Sequence, residues 1–371
     1  MIYRQLGRTG LEVSQLGFGA MRLPMVGAGQ EQRVNRDLAI PMIHRAFENG
    51  LNYIDTAVGY CNQDSQRVVG EALKGWRDKI VVSTKNPYYG TDEKEWWTNL
   101  DDSLERLQVS HIDIYNHHGI RWQRYEEDVV SHLGQWMMKA KEQGLIRHIC
   151  CSFHDSNEAL RKLVDSGYPE VITLQYNILD RQLEDGIAHA HEKGVGIVVM
   201  GPVGGGRLGA TSEVLEQLVP GIRRVPELAL RFVLANPNVS VALSGMSTMQ
   251  HVEENFATAA DPVSLSEADK QAIQEHLERM KKMAELYCSG CEYCLPCPND
   301  VSIPAIFAAY NVGRVYGLWG AARSRYAAIG RGGKGAKADA CLECGVCEEK
   351  CPQMLRIPEQ LKAAHRELAP A

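Results

Sequence analysis

No stretch of the 371-residue chain approaches the ~20 apolar residues of a transmembrane helix, so no membrane span is expected. The opening M-I-Y-R-Q-L-G-R-T-G lacks the apolar core of a secretory signal, which points to a cytoplasmic protein. Basic residues are not in excess: 40 Lys and Arg against 46 Asp and Glu leave a formal charge of −6. That balance argues against nucleic acid or an anionic membrane surface as the main partner. Cysteine is nearly missing from the first three quarters of the chain, where only Cys61, Cys150 and Cys151 occur. The other eight crowd into the tail, and in a reducing compartment they read as metal ligands rather than disulfides. Disorder is not expected, because the hydrophobic fraction of 44% and the charged fraction of 23% are those of a globular protein.

Short Val- and Ile-rich runs alternate with amphipathic segments from Gln15 to about Thr258, the mark of repeated βα units. The expected strands are Gln15–Gly19, Tyr53–Asp55, Ile80–Thr84, Ile112–Asn116, Ile146–Ser152, Val171–Gln175, Gly196–Met200 and Val239–Leu243. Between them, helices are expected near Arg36–Asn49, Ser65–Lys74, Lys94–Leu107, Asp128–Gln143, Asn157–Asp165, Gln182–Glu192, Val225–Ala235 and Thr248–Thr258. Gly50, Gly75, Gly144 and Gly194 close several of them. An all-parallel sheet follows, either open or closed. No G-x-G-x-x-G follows the first strand, which disfavours a Rossmann sheet and selects a (β/α)8 TIM barrel. Tyr3–Val13 reads as a hairpin before the barrel. The expected domains are a barrel over 1–262, a connecting helix within 263–287 that starts at Ser266, and a small α-helical iron–sulfur domain over 288–371. The Arg- and Lys-rich stretch Ala321–Asp339 reads as one helix and a solvated loop.

The tail carries two arrays: Cys288, Cys291, Cys294 and Cys297-Pro298, then Cys341, Cys344, Cys347 and Cys351-Pro352. Ile-Pro follows each at the same offset, so the arrays are an internal repeat. Three thiolates two residues apart can fold round one cubane while the fourth, leaving through Pro, crosses to the other, as in bacterial two-cluster ferredoxins. Cys288, Cys291, Cys294 and Cys351 would then hold one [4Fe-4S] cluster, and Cys341, Cys344, Cys347 and Cys297 the other. The first array has only Leu295 and Pro296 between its last two cysteines, one residue fewer than the usual spacing. Paired C-x2-C spacings also suit tetrahedral zinc. A third Cys followed by Cys-Pro favours iron–sulfur.

Asn52–Tyr60, N-Y-I-D-T-A-V-G-Y, places the Asp55 carboxylate at a strand end and the Tyr60 phenol five residues on. Together with R-Q-L-G-R-T-G-L-E-V-S-Q-L-G-F-G, S-T-K at Ser83–Lys85 and L-S-G-M-S-T-M-Q-H-V-E-E-N at Leu243–Asn255, it resembles the aldo/keto reductase family over nearly all of residues 1–260. The Cys-rich tail is similar to the branch of that family with a C-terminal ferredoxin-type domain. The resemblance implies a barrel that binds NAD(H) or NADP(H) and a catalytic tetrad at Asp55, Tyr60, Lys85 and His118. Its chemistry can be argued independently: as hydride reaches a carbonyl carbon, the oxygen gains negative charge and needs a proton donor and positive electrostatics. A phenol is a sluggish acid at pH 7, and a neighbouring ammonium such as Lys85 lowers its pKa. Asp55 would fix the lysine. His118 would orient the carbonyl or help relay the proton; the family's spacing D-x-Y-x-x-H, here from Asp113, selects it, while strand parity, which only puts neighbours on opposite faces, leaves His117 as the alternative.

The resemblance also implies that Ser152 and Gln175 meet the nicotinamide carboxamide, with His154 a looser candidate, and that Met200 lies where a stacking tyrosine is frequent. Gly201, Pro202, Gly206 and Leu208 belong to a glycine-rich loop after the seventh strand, where barrels build phosphate sites. Gly245, Ser247 and Thr248 open a helix whose N-terminus suits a phosphate, with Glu254 and Asn255 towards the adenine. Ser247 stands where relatives preferring NADPH carry Arg, so NADH is the expected cofactor. Trp122 is a candidate wall for the substrate, and Cys61 reads as a packed residue. The expected activity is hydride exchange between nicotinamide and a small carbonyl or alcohol. The competing readings are an electron-transfer enzyme whose clusters serve a redox protein partner, and a nucleotide-binding, redox-responsive module without catalysis.

Overall fold

In the computed structural model, described for residues 1–28, 31–209, 211–216, 222, 224–260, 268–269, 271–275, 278, 288, 294–331, 335–351 and 355–369, eight parallel strands close into a barrel. They are β1 (Leu16–Gly19), β2 (Tyr53–Asp55), β3 (Val81–Asn86), β4 (Ile112–Ile120), β5 (Ile146–Phe153), β6 (Val171–Gln175), β7 (Gly196–Met200) and β8 (Val241–Ser244). Each strand pairs with the next, and β8 pairs with β1 through Ala242 and Leu16. The expected order and number of strands hold, with shifts of one to four residues at some ends. The largest is in β4, which runs four residues past Asn116 because β5 continues beside it and supplies backbone partners as far as Phe153.

The barrel floor is a plug of inward-facing side chains. Tyr53, Val81, Ile114, Cys150, Val171, Val198, Val241 and Leu243 meet Leu6 and Val13, which come from an antiparallel hairpin of Tyr3–Gln5 with Glu12–Ser14. This is the expected hairpin, and it seals the N-terminal end of the barrel. Gly7, at φ +53, shows how closely it docks: a Cβ there would lie 2.3 Å from the Gly196 nitrogen. Removing so much apolar surface from water is the main term holding the floor shut, at roughly 25 cal/mol per Å².

Helices follow the strands in alternation: α1 (Arg36–Glu48), α2 (Ser65–Ala72) and α3 (Glu93–Leu107), then α4 (Gly134–Glu142), α5 (Asn157–Asp165), α6 (Glu184–Glu192), α7 (Val225–Leu234) and α8 (Met249–Ala260). The Asp92 and Ser156 side chains accept from Lys94 N and Ala159 N, capping α3 and α5. The helix expected over Asp128–Gln143 differs in kind, since Tyr125–Leu133 is wound as a π-helix before α4 begins. Gly134 permits the wide turn, because a Cβ there would come within 2.7 Å of the Val129 carbonyl oxygen.

The chain divides into two compact units, one of Met1–Gly204 with Ala229–Ser264 and the other of Gly205–Leu228 with Leu265–Ala371. In the second, α9 (Ile303–Tyr316), α10 (Trp319–Ala328) and α11 (Ile357–Leu368) pack on one another, and α9 and α11 reach the cysteines through Ile303, Pro358 and Leu361. Trp319 packs flat on Gly313, where a Cβ would sit 2.4 Å from the indole, and the Tyr326 hydroxyl pairs with His365 Nδ1 at 2.5 Å. The helix expected from Ser266 to Leu286 lies largely outside the described residues, as does Cys291. Among the described residues no helix is long and apolar enough to cross a membrane.

Candidate active site

Barrel closure brings the ends of β2, β3 and β4 together. Asp55 ends β2, Lys85 is one residue short of the end of β3, and the Lys85 ammonium donates to Asp55 Oδ1 at 2.6 Å and to the Thr56 carbonyl at 2.9 Å. Both side chains are almost wholly buried, at 2% and 5% exposure, so this pair is little screened by solvent. Burial opposes the ammonium, but Asp55 and Tyr60 outweigh it and hold the Lys85 pKa above its ordinary value. Tyr60 arrives from the loop after β2 and lays its ring under the ammonium, with Nζ 4.8 Å from the ring centroid. Burial raises the phenol pKa, and Lys85 pulls it back. The expected lowering by the lysine is therefore present as a force, yet desolvation is larger, and the phenol is protonated at neutral pH.

His118 stands with its ring edge-on to Tyr60, centroids 6.4 Å apart. Its pKa falls to about 4 through burial and then the Lys85 charge, so the imidazole is neutral at pH 7. Its carbonyl accepts from the Tyr89 hydroxyl at 2.7 Å, and the Arg124 guanidinium covers the Tyr89 ring at 4.2 Å. His117 points out of the barrel, where Nε2 meets the Tyr168 hydroxyl at 2.8 Å. The two histidines thus face opposite sides of the strand, His118 towards Tyr60 and His117 towards Tyr168. Trp122 stacks on Tyr125 with centroids 5.3 Å apart, and its backbone N–H donates to Asp155 Oδ2.

Two supporting residues escaped the sequence reading. Ser83 donates to Asp55 Oδ2 at 2.8 Å, and Asn116 donates to Ser83 Oγ at 3.2 Å and to the Thr84 carbonyl at 2.9 Å. The signal was available: Ser83 and Asn116 lie two residues before Lys85 and His118, hence on the same inward face. Among the described residues, the buried Asn116 Oδ1 atom has no hydrogen-bond partner.

The remaining expected positions spread along the strand ends. Ser152 is buried opposite His118, and Gln175 pairs with Met200 as the last residues of β6 and β7. A serine hydroxyl and a glutamine amide on neighbouring strands form a donor and acceptor set that fits a carboxamide. The Gly201 carbonyl accepts from Asn177 Nδ2 at 3.1 Å, and Pro202 is buried. Gly206 and Leu208 fall in the turn Gly204–Gly209, at the start of the second unit. After β8, a Cβ on Gly245 would lie 3.5–3.7 Å from the stem of Arg22. Ser247 N donates to His251 Nδ1, Thr248 Oγ1 accepts from His251 N, Glu254 Oε1 accepts from Gln250, and Asn255 Nδ2 donates to Ser244 Oγ.

In the second unit, Cys297, Cys341, Cys344 and Cys347 line one cavity of about 120 Å³, walled by Val301, Ile303, Leu342, Val346, Pro358 and Leu361. Burial, then the nearby Cys341, Cys297 and Cys344 sulfurs, raise the Cys347 pKa. Four soft sulfurs in an apolar shell fit an iron–sulfur cluster, and the cysteine from the first array joins three from the second. Of the other set, Cys288, Cys294 and Cys351 are described and Cys291 is not.

A model of the aldo/keto reductase family matches residues 15–278, and a model of the 4Fe-4S dicluster domain matches residues 287–355. L-Galactose dehydrogenase of Arabidopsis thaliana is 30% identical over 299 residues, covering 73% of this chain and 92% of that protein. The NADH-specific methylglyoxal reductase of Escherichia coli is 27% identical over 330 residues, covering 75% and 98%. Among solved structures, the holo form of aldo-keto reductase AKR11C1 from Bacillus halodurans superposes with a TM-score of 0.64 at 31% identity, covering 74% of this chain and 96% of that one.

Proposed function

We propose, from the premise that the chain belongs to the aldo/keto reductase family, that its barrel transfers a hydride between a nicotinamide cofactor and a small carbonyl or alcohol, with Tyr60 as the proton donor. One observation carries the reading: the buried Lys85–Asp55 pair at 2.6 Å, with the ammonium 4.8 Å from the Tyr60 ring. When bound, the nicotinamide supplies or accepts the hydride. The chain's own groups manage the proton. Tyr60 delivers it to the carbonyl oxygen, and Lys85 stabilises the phenolate left behind. Asp55 keeps the lysine charged and in place, itself held by Ser83, which Asn116 in turn supports. The neutral His118 offers an N–H to the carbonyl oxygen and so orients it. Ser152 and Gln175 are the residues assigned to the carboxamide, Met200 to the ring face, and the loops after β7 and β8 to the phosphates. Replacing Tyr60 by Phe removes the proton and should abolish most turnover; near-normal activity in that variant rejects the mechanism.

NADH is the favoured cofactor, because Ser247 lacks a guanidinium for a 2′-phosphate and the E. coli relative is named NADH-specific. Titration with both nucleotides decides it, and a clear preference for NADPH ends this assignment. A second reading, electron exchange with a redox protein, is supported by the exposure of Cys344 and of Leu342 (74%) on the wall of the cluster cavity. A hydride carries two electrons while a cluster takes one, so this route needs an intermediate carrier. Mixing NADH with the anaerobic protein and following cluster absorbance separates the readings: bleaching supports exchange, and carbonyl reduction without bleaching supports a structural role.

A further inference from the structure

Strand β4 does not end as a regular strand. His118 pairs with Ser152 and Ile120 with Phe153, so β4 advances two residues while β5 advances one, and Gly119, at φ +86, is the extra residue of a bulge. In a regular strand His118 and Ile120 would both face the barrel interior, and Arg121 would face away. The bulge reverses this parity. Cys150 belongs to the interior cluster, so Ser152 faces in and Phe153 out; Ile120, its partner, therefore turns outward and is buried. Arg121 follows with extended backbone at φ −114 and ψ 160, which continues the alternation and turns its side chain towards the mouth above His118.

We infer that Arg121 recognises an anionic group on the substrate, so that the barrel acts on carbonyl compounds bearing a carboxylate or phosphate a few atoms from the reacting carbon. The inference rests on the hydride-transfer reading above and specifies its substrate class. Arg121 is exposed; its backbone carbonyl accepts from Tyr125 N–H at 2.9 Å, while its guanidinium makes no hydrogen bond or ion pair with the described residues. The other charges around it are already engaged. Lys85 is neutralised by Asp55, and the Asp155 carboxylate accepts from the N–H groups of Trp122 (2.9 Å) and Ser156 (2.7 Å). The Arg124 guanidinium lies on Tyr89 and near Asp128. His154, whose backbone N–H donates to the Ile120 carbonyl, sits in the fields of both Arg121 and Lys85; after burial, these two charges lower its pKa. A planar guanidinium at the rim is suited to bidentate capture of a carboxylate or phosphate, and water beyond it leaves room for substrates of different length.

The test compares matched aldehydes on the cofactor-loaded full chain: butanal with 4-oxobutanoate, and glyceraldehyde with glyceraldehyde 3-phosphate. In Arg121→Gln, the ratio of kcat/KM for the anionic over the neutral member should fall by about ten-fold or more, with partial recovery in Arg121→Lys. The pair with the larger fall identifies the anion. A ratio within about two-fold of the wild type in both pairs overturns the inference, while turnover of the neutral aldehydes leaves hydride transfer standing. If the wild type reduces none of the four, the hydride reading fails first. Calorimetric titration with succinate then decides on Arg121 separately: binding that is lost in Arg121→Gln sustains the anion site, and no binding by the wild type rejects it.

Discussion

At the scale of single residues, the site depends on charges that only their partners make tolerable. Asp55→Asn would leave the Lys85 ammonium buried without its carboxylate, and breaking such a pair from one side costs about 3–5 kcal/mol. Denaturant unfolding should show that loss together with a fall in turnover. His117 and His118 set a pH limit of a different origin. Burial lowers their folded-state values to about 3 and about 4, below the unfolded value of about 6.5. The unfolded chain therefore binds protons first, so their contribution to stability is complete above about pH 6.5 and is lost as pH falls towards 4 and then 3. Thermal melts from pH 7 to 5 should show a declining midpoint, with a shallower decline in His117→Gln. Asp55, Lys85 and His118 were legible as candidates through the family's motifs, and each lies at or just past an expected strand end. Ser83 and Asn116 were not, because a small polar residue inside a strand carries no chemical signature until its neighbour on the next strand is known.

Among the elements, boundaries were read more poorly than order, and each departure has a local cause. The bulge at Gly119 and the π-helix over Tyr125–Leu133 both depend on what a glycine lets its neighbours do, and hydrophobic periodicity does not register that. The turn after Tyr60 is another case: Cys61, Asn62 and Gln63 have φ of 52°, 53° and 66°, three successive left-handed residues without a glycine. Each costs on the order of 1 kcal/mol against the right-handed region. Cys61 partly compensates by donating its thiol hydrogen towards the Ala20 and Met21 carbonyls at 3.7 and 3.5 Å, consistent with the packed role expected of it. Cys61→Gly should relieve the backbone and raise stability by about 1 kcal/mol, read as a higher melting temperature. Gly119→Ala should lower it by a similar amount through φ alone, since nothing lies within 4 Å of the added Cβ.

For the whole molecule, the sequence separated a βα-repeating part from a cysteine-rich tail, because periodicity and thiol spacing are long-range patterns that survive without side-chain detail. The grouping of Gly205–Leu228 with the tail was invisible to it, since a loop leaving a strand end carries no mark of what it will pack against. The cavity that unites Cys297 with Cys341, Cys344 and Cys347 predicts which cluster a single substitution removes. Cys297→Ala should cost the cluster held by the second array, lowering bound iron by about half while the other set keeps its own. Iron analysis with electron paramagnetic resonance of the reduced protein checks this, and loss of the first-array signal instead would refute the crossover. The hairpin beneath the barrel has a practical corollary. Leu6 and Val13 act as a gasket over Cys150, whose thiol burial pushes up to about 12. The rate at which an alkylating reagent reaches Cys150, followed peptide by peptide in a mass spectrometer, is therefore a clock for how often the gasket lifts.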